Sequence, residues 1–269
     1  MNSSIKYFQV FSLAFKSHFI YKMNVLFSLI QSVLGLSISV AVWTALYAGA
    51  HSVQSSVGSI SLKEMVTYAV VSAILSKIVY FGTIWQVGSK IHDGSIATEL
   101  IKPYNFGLAT FSQQMGNNSF EVLFEIPPLV IFGYFVFGFS TPDPQYILPF
   151  IGSGILAVII GFMTTYCCSL FAFWYTISWH IGSFYFVTSR LMSGIFVPLW
   201  FFPEGLLKIA DLLPFKLMFY VPISIYLGKI KLEEAWGLVL QQGIWIVILF
   251  ILTKIVWEIS KKKLVVQGG

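Results

Sequence analysis

IPPLVIFGYFVFGFSTPDPQYILPFIGSGILAVIIGFMTTYCCSLFAFWYTISWHIGSFYFVTS, residues 126–189, carries one formal charge, Asp143, in sixty-four positions. A water-soluble domain cannot bury a stretch of that length, whereas a bilayer requires it. A spanning helix needs roughly 20 apolar residues to cross a hydrocarbon core of about 30 Å. Two such lengths fit, parted near 138–149 by the turn-forming Thr141-Pro142-Asp143-Pro144. The chain therefore belongs in lipid, and its function narrows to moving something, sensing something or doing chemistry at a membrane.

The rest of the composition agrees. Apolar residues make up 57% of the chain and charged residues 10%, with mean hydropathy +0.82, against about a quarter charged in a globular domain. At 269 residues this reads as one polytopic bundle with no room for a soluble catalytic domain. Fifteen lysines and a single arginine carry the excess of +5, which suits topology and anionic head groups and points away from nucleic acid. Cys167 and Cys168 are adjacent in an apolar run and read as small hydrophobes, without metal or disulfide spacing. The N-terminus lacks a short apolar core followed by a small-residue cleavage site, so no cleavable signal is expected.

Six spans are expected, over about 24–48, 65–87, 111–138, 146–173, 181–202 and 241–259. Residues 1–22 differ in kind: Phe8, Phe11, Phe15 and Phe19 recur at helical spacing, with Lys6, Gln9, Lys16 and Lys22 on other faces. That is the pattern of an amphipathic helix lying in the head-group plane. The expected organisation is thus all-α integral membrane, an interfacial helix over 1–22 and a six-span domain over 23–269. Lys6, Lys16 and Lys22, then Lys90 and Lys102, then Lys261, Lys262 and Lys263 fall on one side of such a bundle. Lys63, Lys208, Lys216, Lys229 and Lys231 fall on the other, diluted by Glu204, Asp211, Glu233 and Glu234. The positive-inside tendency then makes both termini cytoplasmic. Trp43, Tyr47, Trp174, Trp179 and Trp200 sit where helices would meet the interface, and no internal repeat is visible.

Two polar inserts carry the most information. Residues 90–106, KIHDGSIATELIKPYNF, offer Asp93 or Ser95 as a helix cap, Glu99 near that start, and Pro103 as a stop. Ile96, Leu100 and Ile101 would make one apolar side, so the segment reads either as a connecting loop or as a docking helix for a soluble partner. Residues 193–215, SGIFVPLWFFPEGLLKIADLLPF, break a span at Pro198 and Pro203, then run amphipathically to Pro214. Leu206, Leu207, Ala210 and Leu213 would line one side, with Glu204, Lys208 and Asp211 opposite. Such a piece re-enters or rides the outer interface.

Together these inserts resemble the permease subunits of type-2 ATP-binding-cassette exporters. The string D-G-x-I-x-x-x-L-x-K-P, here Asp93, Gly94, Ile96, Leu100, Lys102 and Pro103, is similar to the cytoplasmic coupling segment of one bacterial branch. Gly194, Phe196, Pro198 and Leu199, with Pro203, Glu204, Leu206, Leu213, Pro214 and Phe215, are similar to the family's fifth span and outer re-entrant helices. The resemblance implies a coupling segment over about 88–106 that meets an ATP-binding subunit, with His92 and Glu99 among its contacts. It implies an outer re-entrant segment over about 203–222. It also implies a second permease, identical or related, around a central path in the plasma (inner) membrane, opened by alternating access or entered laterally from lipid. ATP and magnesium would sit on the partner: no G-x-x-x-x-G-K-[ST] occurs, and the one Gly-Lys, Gly228-Lys229, lacks the upstream glycine.

Other residues invite roles. Arg190, alone in its type and inside an expected span, either pairs with Glu121 or Glu125 or serves the substrate path. Glu121 and Glu125 share a helix face, but with no nearby histidine, serine or further acidic cluster they make no catalytic constellation. Lys77, mid-span, faces the bundle interior or snorkels. His18, His51, His92 and His180 show no ligand spacing. Ser28, Ser32, Gly35 and Ser39 form a small-residue stripe suited to close helix packing, and Gln31, Gly35 and Arg190 are candidates for path or packing. The expected function is the transmembrane half of an ATP-driven exporter of an amphipathic or lipidic substrate, drug or peptide. The alternatives are the membrane binding component of an uptake system, or an integral membrane enzyme, which the lack of catalytic residues disfavours.

Overall fold

The computed structural model describes residues 3–47, 49, 52–80, 82–174 and 178–263. Helix α1 (Ser3–Ser17) leads to α2 (Lys22–Tyr47), then to an antiparallel hairpin of β1 (Ser52–Ser55) and β2 (Gly58–Ser61). Next come α3 (Leu62–Val79), α4 (Thr83–His92) and a single turn, α5 (Ile96–Leu100). Helix α6 (Phe106–Phe124) continues through α7 (Ile126–Phe132) into a π-helical turn, and α8 (Pro144–Ser169) into a 3₁₀ turn over Leu170–Phe173. After α9 (Ser178–Met192) the chain makes short pieces, α10 (Glu204–Leu212) and α11 (Tyr220–Tyr226), before the long α12 (Leu232–Ser260).

Local chemistry explains the boundaries. Ser61 starts α3 with a capping box: its hydroxyl accepts from the Glu64 N–H, and the Glu64 carboxylate accepts from the Ser61 N–H at 2.7 Å. Pro144 occupies the first turn of α8, where a missing N–H costs nothing. Gly138, at φ 63°, ends the π-helical turn in a left-handed conformation that other residues resist. Glu233 and Glu234 lie in the first turn of α12, where the dipole favours them, so that helix begins nine residues before the expected 241.

Among the described residues, five helical stretches are long and apolar enough to cross a membrane: Lys22–Tyr47, Leu62–His92, Phe106–Phe137, Pro144–Phe173 and Leu232–Lys263. The expected fifth span, 181–202, is not one helix. α9 has 15 residues, about 22 Å at 1.5 Å per residue, which is short of a bilayer core. It stops because Gly194 takes a φ of 78° and Pro198 follows. The expected second span is also interrupted, with Tyr80 extended between α3 and α4.

Contacts define two ends. At one, the Ser56 N–H bonds the Trp200 carbonyl, the Tyr226 hydroxyl donates to the Ser140 carbonyl at 3.0 Å, and Lys229 pairs with Glu64 at 2.6 Å. At the other, Phe106 stacks on Trp257 near the end of α12, and Ile96, Val87, Tyr166 and Leu170 share a buried cluster. α8 has 26 residues and α12 has 29, about 39 and 44 Å, so both overrun a 30 Å hydrocarbon layer. Their last turns, with α4 and α5, form a ledge at the second end. α1 runs along α6: Phe15 and Phe19 pack edge-on to Phe120, while Phe8 remains exposed instead of joining that face.

The core lies between α3, α8, α11 and α12. Leu217, Met218, Phe219, Ile223 and Ile225 are fully buried there against Tyr68, Ile160 and Leu249. Gln242, wholly buried in α12, donates one amide group to the carbonyls of Ser153 and Leu217 at 3.0 and 2.8 Å. α8 meets α3 at Gly161, where a Cβ would strike the Val79 carbonyl oxygen. Gly35, by contrast, has nothing within 4 Å of an added Cβ. Gly161→Leu is therefore expected to lower the Tm of the detergent-solubilised protein by roughly 2–10 °C, from an overpacking cost of about 1–3 kcal/mol. Gly35→Leu should leave Tm unchanged, and equal losses in a thermal melt would refute the distinction.

Candidate functional site

Three of the four small residues of the α2 stripe face open space within this chain. Ser32, Gly35 and Ser39 face a cavity of about 400 Å³, walled opposite by Ser72, Ser76 and Lys77 of α3 and closed by Glu121, Tyr80 and Arg190. Gln31 also lines it. Within this chain these residues border open space instead of a closely packed helix. The Ser32 hydroxyl donates back to the Ser28 carbonyl at 2.7 Å, which satisfies it without a partner helix.

Beside the cavity, three polar groups from three helices close on one another. Lys77 Nζ lies 2.6 Å from Glu125 Oε2 and donates to Ser28 Oγ at 2.9 Å, while Ser28 Oγ donates to the same carboxylate oxygen at 2.8 Å. Glu125 is 4% exposed, so its charge depends on this pairing. Depth can be read along α2. Ser28 lies nineteen residues from Tyr47, about 28 Å, and the Tyr47 hydroxyl bonds the Ile60 carbonyl at the hairpin end. Ser28, and Lys77 bonded to it, therefore lie about 28 Å along α2 from the hairpin end.

Arg190 pairs with neither Glu121 nor Glu125. Its guanidinium carbon lies 3.9 Å from the centre of the Phe186 ring, 5.0 Å from Tyr80 and 5.3 Å from Phe196. Three aromatic faces thus hold the cation. Arg190 Nε, Tyr80 Oη and Ser72 Oγ are buried without a hydrogen-bond partner among the described residues, and all three residues line the cavity.

The second assembly is the ledge between α4 and α6. His92, Asp93 and Gly94 form an exposed turn, with Gly94 at φ 76° and the Ser95 N–H donating to Asp93 Oδ1 at 2.9 Å. Bonds from Ser95 hold the Asp93 carboxyl below its usual value. Ile96 was expected on a docking face, but it is 3% exposed and wedged among Val87, Phe106, Phe162, Tyr166 and Leu170. Leu100 packs against the same cluster, and the exposed apolar residue is Ile101, at 84%. Helical phase decides this, since α5 lasts one turn and its inner side must cover α8.

Glu99 organises the ledge. It accepts from the Tyr104 hydroxyl at 2.7 Å and Lys102 Nζ at 2.9 Å, with Lys90 Nζ at 3.5 Å. Partial burial pushes its carboxyl up, but those hydrogen bonds and the two lysine charges outweigh burial and hold it below the usual value. The same carboxylate raises Lys102. Lys6 donates to the Pro103 carbonyl at 2.9 Å, and the Asn105 N–H donates to the Tyr7 hydroxyl at 3.1 Å, so α1 clasps the ledge.

At the opposite end, Pro198 and Pro214 are buried, whereas Pro203 and Glu204 are exposed at the start of α10. Leu207, Ala210 and Leu213 turn inward onto Met192 and Leu199, but Leu206 stays outside with Leu212. The Tyr68 hydroxyl donates to the Gly194 carbonyl at 2.7 Å and the Tyr220 N–H to the Ser193 carbonyl at 3.0 Å. Sequence reasoning missed Ser72, Ser76, Tyr80, Tyr104 and Gln242. Ser72 and Ser76, four apart in an apolar run that also holds Lys77, were the available signal, as was Tyr104, five residues from Glu99; Tyr80 and Gln242 gave none, being tied to residues distant in sequence.

A family model described as ABC-2 family transporter protein matches residues 50–268. No curated protein and no solved structure matches the chain.

Removing one partner of a buried ion pair strands the other charge, at about 3–5 kcal/mol. Lys77→Met is expected to destabilise the protein by about that amount, and the double variant Lys77→Met/Glu125→Gln by less than half of it. Thermal unfolding of the purified variants checks this; a double variant as unstable as the single would remove the pair from the account.

Proposed function

This chain belongs to the ABC-2 family of transporter proteins, and on that basis we propose that it is the transmembrane half of an ATP-driven exporter for amphipathic or lipidic substrates. Membership makes it a multi-pass membrane permease component, a class that works with an ATP-binding partner. In this reading α9 and its broken continuation supply the sixth crossing, both termini are cytoplasmic, and the ledge with α1 and the end of α12 faces the cytoplasm. Two permeases, identical or related, pair around a central path, with ATP-binding subunits beneath the ledge. The segment from α10 to α11 is the outer re-entrant element, with Pro198, Pro203, Glu204 and Pro214 shaping its turns.

The observation that carries this reading is the continuity between ledge and cavity. The exposed turn at His92, Asp93 and Gly94 ends α4, and Ile96 locks it onto α8. α4 packs along α8 and is joined through Tyr80 to the stretch of α3 that bears Lys77. A push on the turn therefore reaches α8 through packed helices, and α8 in turn packs on α3 at the Gly161–Val79 contact, near Lys77. Side chains in close-packed contact transmit displacement because no voids absorb it.

The test uses the complex reconstituted in vesicles with its ATP-binding subunit. Ile101→Asp, on an exposed position whose side chain makes no bond in the ledge, should leave insertion and Tm intact while substrate-stimulated ATP hydrolysis falls at least about tenfold, the loss of roughly 1.4 kcal/mol of interaction. Unchanged coupling would refute the ledge as the docking surface. Orientation is tested separately in intact cells, with Cys167 and Cys168 replaced by alanine. Cysteines at Ser3 and Lys263 should resist an impermeant thiol reagent, and one at Lys208 should react; labelling at either terminal position overturns the topology.

A further inference from the structure

The cavity beside α2 holds polar groups that the protein itself leaves unanswered. Ser72 is 4% exposed and its hydroxyl has no partner; Tyr80 Oη and Arg190 Nε make no aligned hydrogen bond, although the two groups stand close enough to act on each other. Glu121 lines the same space; its carboxylate makes no hydrogen bond or close ion pair among the described residues, and its charged neighbours are Lys77 and Glu125. A polar group buried without a partner costs about 1–3 kcal/mol, and more if charged, and ionisable residues at membrane depth are rare unless they serve a function. Three such groups and the Glu121 carboxylate converging on one cavity indicate a missing partner.

The signs of the available charges say what that partner carries. Lys77 and Glu125 neutralise each other across 2.6 Å and are bridged by Ser28. Lys77 also acts on Glu121, so the two carboxylates exceed it by one charge, and the cation left over is Arg190. A purely anionic ligand would meet Arg190 but face the Glu121 carboxylate; a purely cationic one would meet Glu121 but face the guanidinium. Like-charge juxtaposition in such a site is strongly unfavourable. Only a group bearing both charges satisfies both residues. Phe186, Tyr80 and Phe196 surround the guanidinium without accepting its N–H groups as a carboxylate would, so those donors, with the Tyr80 and Ser72 hydroxyls, suit an oxyanion. The same wall includes Leu36, Ile195 and Phe196, and Phe196 is 59% exposed, an apolar edge along which a tail can leave the site.

We infer that this cavity binds the head group of a zwitterionic amphiphile, phosphate and ammonium together as in a phosphoethanolamine lipid, with Arg190, Tyr80 and Ser72 on the phosphate and Glu121 on the ammonium. The assignment deepens the permease reading by naming a substrate class, and it rests on that reading.

The full-length chain in neutral maltoside detergent is titrated with lysophosphatidylethanolamine, lysophosphatidylglycerol, dodecylamine and free phosphoethanolamine, and binding is read by thermophoresis. The zwitterionic lysolipid should bind at least about tenfold more tightly than either singly charged amphiphile, the scale of one charge-assisted contact. Glu121→Gln should erase its advantage over lysophosphatidylglycerol. Tyr80→Phe, which keeps the ring over Arg190, should weaken both phosphate-bearing ligands alike by several-fold without changing the elution volume on gel filtration. Equal binding of the two lysolipids by wild type, or an advantage that survives Glu121→Gln, would overturn the assignment and leave the cavity to water. Free phosphoethanolamine binding as tightly as the lysolipid would overturn the amphiphile in favour of a soluble zwitterion. Because the titration contains no ATP-binding subunit, its failure beside intact coupling at the ledge condemns the head-group site alone. Head-group binding with no assembly with that subunit condemns the exporter reading instead.

Discussion

A chain whose helix breaks at Met192 and runs on only in short pieces to Tyr220 inside a membrane bundle must have its freed backbone groups satisfied by protein, since lipid offers no hydrogen bonds. The fold is arranged around that requirement. The Tyr68 hydroxyl of α3 serves the Gly194 carbonyl, the Gln242 amide of α12 serves the Leu217 carbonyl, and the Tyr220 N–H returns to Ser193. Each donor comes from a helix that would otherwise need no polar residue on that face. The largest buried cluster, from Tyr68 to Leu249, is built around the same stretch. The broken stretch thus acts as the keystone to which α3, α8 and α12 conform.

The break also shapes the cavity. Had α9 continued unbroken to residue 202, its side chains would have packed against α2 and α3 as an ordinary span. Instead it ends at Met192, and Ile195 and Phe196 line a space opposite Ser32 and Gly35. Non-helical backbone at this depth is tolerated where it is buried or borders a cavity, and this stretch does both. Arg190, two residues before the break, owes its aromatic enclosure to the turn that brings Phe196 back over it.

At the other end, the ledge is firm because it is tied from three sides. Ile96 anchors it into the cluster on α8, Glu99 collects Lys90, Lys102 and Tyr104, and α1 grips Pro103 and Asn105. Gly116 allows α1 to lie so close, for a Cβ there would meet the Phe11 carbonyl oxygen. In the proposed exporter this firmness is what lets a push on an exposed turn move helices instead of bending a loop.

The class of the molecule and the positions of its long helices were legible in the sequence, as were the ledge and the break near Pro198. Hydropathy sums over a window and needs no partner, and turn residues act through their own φ and ψ. Windows failed where a property depended on a neighbour. The stripe of Ser32, Gly35 and Ser39 looks the same whether a helix or a cavity lies opposite, and only packing decided for the cavity. Ile96 and Ile101 are equally apolar in sequence, yet the phase of one helical turn against α8 buried the first and exposed the second. Glu125 had two basic residues within plausible reach; it took Lys77, forty-eight positions away, because α3 and α6 lie side by side, while Arg190 was enclosed by aromatic rings. The sequence by itself determined what had to leave water, since that is a sum over residues. The partner each buried charge found was decided by the tertiary structure, because an ion pair exists only at the few ångströms that packing sets.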